Sequence, residues 1–374
     1  MSLSYFYMLL LTPMVLDSTS KALENGTFGG NNNSTNNNTG PIIPLDISCP
    51  ALTQRPPPRN VSDLRADDIK AVIGLGDSVM AGFGAKGVQN EQYISIKTLK
   101  EARGVSFAMG GDQGIITIPN LIQYYSHSLY GASVGDQIFT VCFGDQFCPG
   151  GQYKAAIDVL NGAQSGARSV NLDHELDYIL SQLDQAYSDN RIQKTDWKLL
   201  TLFIGSNDVC HACAVNTSLP EHYAINVQLV VERVRLTIPN VLIQIIGMIR
   251  VDEIFVATLP YASYCQPFPR SDFVLHDHEC GCAHSETNRT IMANLLPQYN
   301  TALEKVASFY QSPLYANDSF AVVFHPLPVD ILSFPIQAIR KLMYTPISQK
   351  PQQLEFQADA PIYCPTDSDR LQLK

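Results

Sequence analysis

Three short polar segments follow or join apolar runs of the sequence, and their residue types fit nucleophilic ester hydrolysis. The first, "VIGLGDSVMAGFG", places Ser78 directly after Gly76 and Asp77. The second is "NGAQSGAR", which contains Gly166, and the third is "GSND", which contains Asn207. Ester hydrolysis needs a hydroxyl, a base that takes its proton, and donors for the oxyanion of the transition state. Ser78 offers the hydroxyl, Gly166 an unobstructed backbone N–H, and Asn207 a side-chain amide.

Each of these residues also has a simpler interpretation as part of a turn, because Gly, Asp, Ser and Asn are common where strands end and helices begin. Their placement along the chain bears on this choice. Four apolar runs predict buried strands, and two stretches with apolar residues at helical spacing predict helices. The predicted strands are Ile69–Gly76, Leu199–Gly205, Asn240–Ile249 and Phe320–Pro326, and the predicted helices are Leu172–Tyr187 and Ala224–Thr237.

Short buried strands separated by helices predict an α/β fold, with a mainly parallel sheet and helices on both faces. In such sheets, ligands bind at the carboxyl ends of the strands. Ser78 follows the first predicted strand, Asn207 follows the second, and "NGAQSGAR" runs into the helix that begins near Leu172. The three polar segments are therefore expected together at one edge of the sheet.

The composition is that of a globular protein with a substantial core. The chain has 374 residues, of which 45% are hydrophobic, enough for one large α/β domain or two ordinary ones. Its 25 basic and 35 acidic residues give a net charge of −10. Because this charge repels a phosphate backbone and no basic patch offsets it, the sequence argues against nucleic acid as a partner.

The N-terminal part of the chain predicts export. Residues 1–20 contain an apolar stretch, Tyr5–Leu16, that is typical of a signal peptide and too short to span a bilayer, with a partly buried helix as the alternative. The Asn-rich residues 21–45 predict a disordered leader, and residues 46–374 predict the folded domain. With no later apolar stretch long enough for a transmembrane helix, a secreted or lumenal glycoprotein is expected. Sequons begin at Asn25, Asn32, Asn33, Asn37, Asn60, Asn216, Asn288 and Asn317.

Nine cysteines, several of them in close pairs, are typical of an oxidising compartment, and the odd number leaves one unpaired. Zinc is the competing explanation for "CHAC" (Cys210–Cys213) together with "CGC" (Cys280–Cys282). These spacings match no standard zinc finger, so a metal is not expected.

Taken in order, the three polar segments resemble the blocks of the SGNH or GDSL hydrolase family. The first block is similar to "GLGDSVMAG", the second to "NGAQSG" and the third to "GSND". The resemblance covers most of the chain and is strongest to the animal phospholipase B branch, through "SFAMGGDQG", "DWKLLTLFIGSNDVCHAC", "ECGCAHSE" and the tail "YCPTDSDR".

This resemblance implies a three-layer α/β/α sandwich with a flavodoxin-like parallel sheet. It also implies hydrolysis of acyl esters in phospholipids or lysophospholipids without a cofactor, with peripheral contact to a membrane surface. Ser78 would attack the carbonyl, while the N–H groups of Ser78 and Gly166 and the side chain of Asn207 hold the oxyanion. Gly111 in "GGDQG" competes with Gly166 for this role, although Gly110 and Gly111 are interpreted as turn residues.

The family's last block, Asp-x-x-His, supplies the catalytic base, and the corresponding part of this sequence lacks it. From the end of the last predicted strand the chain reads "HPLPVDILSFPIQAIRKLMYTP", and Val322 stands three residues before His325. Three interpretations stay open: a short segment was lost from an active enzyme, the protein is an inactive lipid-binding or interaction glycoprotein, or His325 acts as a substitute base with Asp330 as its orienting carboxylate. In the phospholipase B branch this block is usually similar to Asp-Cys-Phe-His. Its cysteine would bring the count to ten, which favours the interpretation that a short segment was lost.

Overall fold

The computed structural model describes residues 47–86, 100–142, 148, 151–213, 219–258, 280–329, 331 and 363–373. The predicted signal peptide and Asn-rich leader, as well as Asp330, lie outside the described residues. The proposed domain boundaries therefore stay predictions.

The centre of the molecule is a parallel sheet of four strands, in the order β1-β4-β5-β6. Its strands are β1 (Ile69–Gly76), β4 (Trp197–Phe203), β5 (Val241–Ile246) and β6 (Phe320–His325), and the short strands β2 (Lys100–Glu101) and β3 (Gln137–Ile138) form a separate antiparallel pair. Almost every residue of the four central strands is buried, as expected when both faces of a sheet are covered. All four predicted strands are present, with ends that differ by up to three residues.

Helices flank this sheet, which confirms the α/β fold class predicted from the sequence. They are α1 (Ser78–Ala81), α2 (Ile118–Gln123), α3 (Ala155–Asp158), α4 (Leu172–Ser188), α5 (Ser206–Cys210), α6 (Pro220–Thr237), α7 (Val251–Thr258) and α8 (Glu286–Tyr310). Helix α6 packs between α4 and α8, α4 also contacts β1, and α8 also contacts β6. The helix predicted from Ala224 starts earlier, at Pro220, because proline suits the first turn.

A non-helical segment extends the sheet beyond β1 and carries the second polar segment. The N–H of Gly74 donates to Leu160 O at 2.9 Å, that of Gly162 to Gly74 O at 2.8 Å, and that of Gln164 to Gly76 O at 3.0 Å. The residues before Gly166 therefore run alongside the last part of β1, on the side opposite to β4.

The two ends of the described chain are joined. Cys49 and Cys364 form a disulfide, and Asp367 accepts hydrogen bonds from Thr53 N at 2.8 Å and from Arg65 Nη1 at 3.0 Å. The tail thus packs on the segment that leads into β1, and its Leu371 lies in the core.

Four disulfides involve eight of the nine cysteines: Cys49–Cys364, Cys142–Cys148, Cys210–Cys280 and Cys213–Cys282. The cysteines for which zinc was considered are therefore paired with each other, and Cys265 lies outside the described residues. Such pairing fits an extracellular or lumenal protein. Of the helices in the described part of the chain, none has the length and apolar character to cross a bilayer.

Candidate active site

Ser78 lies at the start of α1, directly beyond the carboxyl end of β1. The preceding Asp77 caps this helix by accepting a hydrogen bond from Val79 N at 3.0 Å, and Gly82 ends it in the left-handed region with φ +74°. Ser78 is fully buried, and its Oγ has no hydrogen-bond partner among the described residues. A buried hydroxyl without a partner is uncommon, and a catalytic role is one of the recognised explanations for it.

Gly166 follows the segment that runs beside β1, and its backbone is in the left-handed region with φ +81°. The carbonyl of Ser165 accepts from Cys142 N at 2.8 Å. Since this peptide bond is trans and planar, the Gly166 N–H must point away from Cys142. It donates to no described residue, so this N–H remains available as a donor.

Asn207 lies in α5, directly beyond the carboxyl end of β4, and is fully buried. Its Nδ2 donates to Ala167 O at 2.8 Å, while its Oδ1 has no partner among the described residues. One residue earlier, the N–H of Ser206 lies 3.3 Å from Asp77 Oδ2. The segments that carry Ser78, Gly166 and Asn207 therefore meet at one edge of the sheet, each linked to the next by a hydrogen bond.

The competing glycines lie elsewhere and their N–H groups are occupied. Gly110 N donates to Ser106 O at 2.8 Å, and Gly111 N donates to Ser133 O at 2.7 Å. These contacts support the interpretation of Gly110 and Gly111 as turn residues.

Three buried carboxyl groups surround the segments that converge here. Burial raises the pKa of Asp77 to about 7, despite the N–H groups of Val79 and Ser206 that favour its carboxylate form. Burial likewise raises the pKa of Glu175, which accepts from Gly76 N at 2.8 Å, and that of Asp208. The site is therefore a place of low polarity where negative charge is costly without donors.

His325 is the last residue of β6 and is buried. It is paired with Ile246 at the same level of the sheet as the end of β1. Three strand spacings separate β6 from β1, a lateral distance of about 14 Å. The structure thus places His325 at the correct edge but far from the strand that leads to Ser78.

One Asp-x-x-His spacing in the sequence was overlooked, at Asp208 and His211. It lies in the third block, not in the last. The carboxylate of Asp208 accepts from Ser169 N at 2.9 Å and from Ser169 Oγ at 2.7 Å, whereas His211 Nδ1 lies 2.7 Å from Asn207 O. Because a carbonyl only accepts, Nδ1 is the donor in that bond. Asp208 therefore holds the residues after Gly166 in place and does not orient His211.

A second group that sequence reasoning missed is the buried cluster of Glu101, Arg103 and Asp158. Arg103 Nη2 lies 2.8 Å from Glu101 and its Nε lies 3.2 Å from Asp158, and all three side chains are almost completely buried. A charged run inside "LKEARGV" was the only signal, and it is equally typical of a solvated surface. Within the described residues, no group of three or more His, Cys, Asp or Glu side chains could hold a metal ion.

The chain is similar to a family of lipases and to curated mammalian phospholipases. The family model described as "GDSL-like Lipase/Acylhydrolase" matches residues 72–349. "Phospholipase B1, membrane-associated" from Mus musculus is 26% identical over 344 residues, which cover 83% of this chain and 22% of the mouse protein. The Homo sapiens protein of the same name is 27% identical over 277 residues, 72% of this chain and 17% of the human one. The chain thus spans about a fifth of the length of these curated relatives. No solved structure matches it significantly.

Proposed function

The chain belongs to the GDSL-like lipase/acylhydrolase family, and from this membership we propose that it is a serine esterase that hydrolyses acyl esters of phospholipids or lysophospholipids. The choice of substrate is supported by the phospholipase name of its mouse and human relatives. We further propose that the protein is a secreted or lumenal glycoprotein that works at a membrane surface. The disulfides and the sequons support the secreted or lumenal location.

What supports the proposal is that the three segments meet at one edge of the sheet and that each carries a group with unused hydrogen-bonding capacity. Ser78 Oγ has no partner among the described residues, the Gly166 N–H points away from Cys142, and Asn207 has one amide hydrogen left after bonding Ala167. A turn needs none of these features, because turn residues use their polar groups locally. A nucleophile beside two donors requires all three.

In the proposed reaction, Ser78 Oγ attacks the acyl carbonyl and its proton passes to a base. The carbonyl oxygen becomes an oxyanion, which accepts hydrogen bonds from the N–H groups of Ser78 and Gly166 and from the Asn207 amide. Collapse of this intermediate releases the alcohol, and water then hydrolyses the acyl-serine. Because Ser78 is fully buried here, the site must open to admit an ester.

We expect that His325 is not an efficient base for this reaction. A base must come within roughly 2.6–3.2 Å of the serine oxygen, and β6 lies three strands away from β1. Asp330, its proposed orienting residue, lies outside the described residues. Among the three interpretations of the missing Asp-x-x-His block, we favour the loss of a short segment from an active enzyme. Eight cysteines are already paired, so a tenth cysteine in that segment would offer Cys265 a partner.

Hydrolysis of lysophosphatidylcholine by the purified chain tests the proposal directly. Because the chain lacks the Asp-x-x-His block, we expect slow fatty acid release, on the order of 10⁴-fold below that of a complete triad. Ser78→Ala should abolish the release that passes through an acyl-serine, and Asn207→Ala should lower the rate by roughly a hundredfold or more, the usual effect of removing one oxyanion donor. Ser126→Ala serves as the matched control, because Ser126 is also a buried serine but contacts Lys70 near the opposite end of β1. Hydrolysis that survives in Ser78→Ala would show that another residue is the nucleophile.

Sequencing of transcripts across the codons for Phe334 to Gln337 tests the origin of the missing block. A transcript that encodes Asp-x-x-His there would support the lost segment, and its product should release fatty acid faster by on the order of 10⁴-fold or more. If every transcript matches this sequence, and His325→Ala removes the same activity that Ser78→Ala removes, His325 is the base after all.

The second candidate is an inactive lipid-binding glycoprotein. It is favoured by the missing Asp-x-x-His block and by the complete burial of Ser78. It predicts that the chain binds lysophosphatidylcholine micelles with equal affinity in the natural sequence and in Ser78→Ala, and that neither releases fatty acid. Turnover that depends on Ser78 would exclude it.

A further inference from the structure

Ser165, the residue before Gly166, is held on every polar side. Its N–H lies 3.3 Å and its Oγ 2.6 Å from Glu101 Oε1, and its carbonyl accepts from Cys142 N at 2.8 Å. The hydroxyl–carboxylate bond is short and charge-assisted, and therefore one of the stronger hydrogen bonds of the chain. The position and direction of the next N–H, that of Gly166, follow from these contacts.

Glu101 itself is fixed by a buried cation. Its second oxygen, Oε2, accepts from Arg103 Nη2 at 2.8 Å, from Arg103 Nε at 3.1 Å and from Gln137 Nε2 at 3.2 Å. Arg103 also contacts Asp158, and its Nη1 donates to Asn161 O at 3.3 Å. The buried cluster of Glu101, Arg103 and Asp158 thus contacts the polar segment at its first residue, Asn161, and at Ser165, the residue before Gly166.

This arrangement is unusual for a purely structural ion pair. Burying charged groups is costly, and a buried pair commonly contributes little net stability compared with apolar side chains of the same size. Here one carboxylate oxygen of Glu101 accepts from Arg103, and the other accepts from Ser165, the residue before Gly166. Its geometry is that of a support for a reactive backbone group.

We propose that Glu101 is a positioning residue for the oxyanion donor Gly166, and that it acts through the hydroxyl and N–H of Ser165. This inference rests on the proposed function, because it assumes that the Gly166 N–H meets an oxyanion. Loss of the link would leave the peptide between Ser165 and Gly166 held by Cys142 N alone, and a misplacement of about 1 Å at a reacting centre can cost roughly a hundredfold in rate.

Ser165→Ala is the informative variant, since it removes the hydroxyl contact with Glu101, the shorter of the two, and leaves the Ser165 N–H and the ion pairs of Arg103 in place. Glu101→Gln is the second variant, and it also weakens the partner of a buried Arg103. Ser126→Ala is the control. All variants are made in the full chain and are compared only after their thermal unfolding shows a folded protein.

The first measurement needs no substrate. Hydrogen exchange of the Cys142 amide, which donates to the Ser165 carbonyl at 2.8 Å, should become faster by about tenfold or more in Ser165→Ala and Glu101→Gln, as followed by NMR in the free protein. The amide of Leu200, in the middle of β4, should exchange at its original rate in the same samples. A purely stabilising role of Glu101 would change both amides or neither.

The second measurement is the affinity for butylboronic acid, determined by calorimetry. The serine oxygen forms a bond to boron and loses its proton to the solvent, and the tetrahedral boronate places a hydroxyl group where the oxyanion would be. We expect Ser78→Ala to abolish binding and Ser165→Ala and Glu101→Gln to weaken it by roughly tenfold to a hundredfold.

These measurements separate the two hypotheses. Boronate binding that does not need Ser78 contradicts the proposed function, whereas the exchange rate of the Cys142 amide still tests the role of Glu101. If Ser78→Ala abolishes binding but Ser165→Ala and Glu101→Gln change neither the affinity nor the exchange of Cys142, Glu101 is not a positioning residue.

Discussion

Gly166 combines two constraints that only glycine meets. Its φ of +81° lies in the left-handed region, and a Cβ built on it would lie 2.5 Å from Cys142 O and 2.7 Å from Val141 Cγ1. The first constraint concerns the backbone alone, and the second concerns close packing against the neighbouring segment. Both keep the N–H of Gly166 where the proposed reaction needs it.

Gly166→Ala should lower the free energy of unfolding by about 2–4 kcal/mol, of which about 1 kcal/mol comes from the backbone conformation and the rest from the collision. Gly151→Ala is a matched control, because Gly151 has φ +76° but nothing within 4 Å of the built Cβ. Chemical denaturation measures both. Equal losses in the two variants would mean that packing against Cys142 is unimportant.

Asp77 shows how a single buried carboxyl couples the site to pH. Its folded-state pKa of about 7 lies above the ordinary value of 3.8, since burial disfavours the charged form. A raised carboxyl pKa contributes stability that is fully present below the unfolded-state pKa and is lost as the pH rises through the folded-state pKa. The contribution of Asp77 therefore declines between about pH 4 and pH 7.

Between pH 5 and pH 8, Asp77→Asn should lose about 2–3 kcal/mol less stability than the natural chain, because asparagine does not ionise and each pKa unit corresponds to about 1.4 kcal/mol. Denaturation at a series of pH values measures this slope, and the slope is informative even if the variant is less stable throughout. Asp184→Asn, at an exposed position of α4, is the control. A slope that remains unchanged in Asp77→Asn would contradict the raised pKa.

The strand β4 illustrates how one element is fixed at both of its ends. Its carboxyl end leads to Asn207, whereas its start carries the buried Lys198. The Nζ of Lys198 donates to three backbone carbonyls, those of Lys194 at 3.0 Å, Asp196 at 2.7 Å and Pro239 at 3.0 Å. This one side chain joins the turn before β4 to the turn before β5.

Lys198→Met should cost about 2–4 kcal/mol of unfolding free energy, because methionine keeps the apolar length but leaves three carbonyls without their donor. Lys305→Met, at an exposed position of α8, should change stability by less than about 0.5 kcal/mol. Thermal or chemical unfolding decides between them. Similar values for the two lysines would indicate that water satisfies the carbonyls in place of Lys198.

The elements that sequence reasoning predicted are those with a strong local pattern. The apolar runs of β1, β4, β5 and β6 and the apolar spacing of α4 and α6 are visible in the chain itself. Helix α8 was not predicted, and its Pro297 is a residue that ordinarily ends a helix. The contact of Glu101 with Ser165 was missed for another reason: it joins residues 64 positions apart, and no local pattern encodes such a pair.

The site was predictable in part for the same reason. Ser78 and Asn207 directly follow strands, so the rule for parallel sheets brings them to one edge. Gly166 follows no predicted strand, and its segment was expected at the same edge because it runs into the helix that begins near Leu172. The direction of its N–H depends on Cys142, a contact that requires the folded structure.

At the scale of the whole molecule, the disulfide between Cys49 and Cys364 closes a loop with a sequence separation of 315 residues. The ion pair between Arg370 and Asp63, at 2.9 Å, and the bond from Leu371 N to Leu64 O, at 2.8 Å, support the same junction. In the chain-entropy model, a disulfide stabilises more when it closes a longer loop, because it restricts the unfolded chain more.

Replacing Cys49 and Cys364 by alanine should lower the free energy of unfolding by about 3–5 kcal/mol. The pair Cys142–Cys148, with a separation of only 6 residues, should contribute about half as much when removed in the same way. Denaturant titration of the two double variants makes the comparison. A larger loss from the short loop would show that local packing, and not chain entropy, dominates.

The junction closed by Cys49 and Cys364 also bears on splice forms of this chain that differ in length after β6. Every residue from the end of β6 to Tyr363 lies between two anchored points, the sheet on one side and the Cys49–Cys364 bond on the other. Exons that add or remove residues there would alter the length of a closed ring and leave its closure intact. If the chain is exported as proposed above, splice forms with and without a histidine in this interval should leave the cell alike, so that quality control in the secretory pathway would not distinguish an active form from an inactive one.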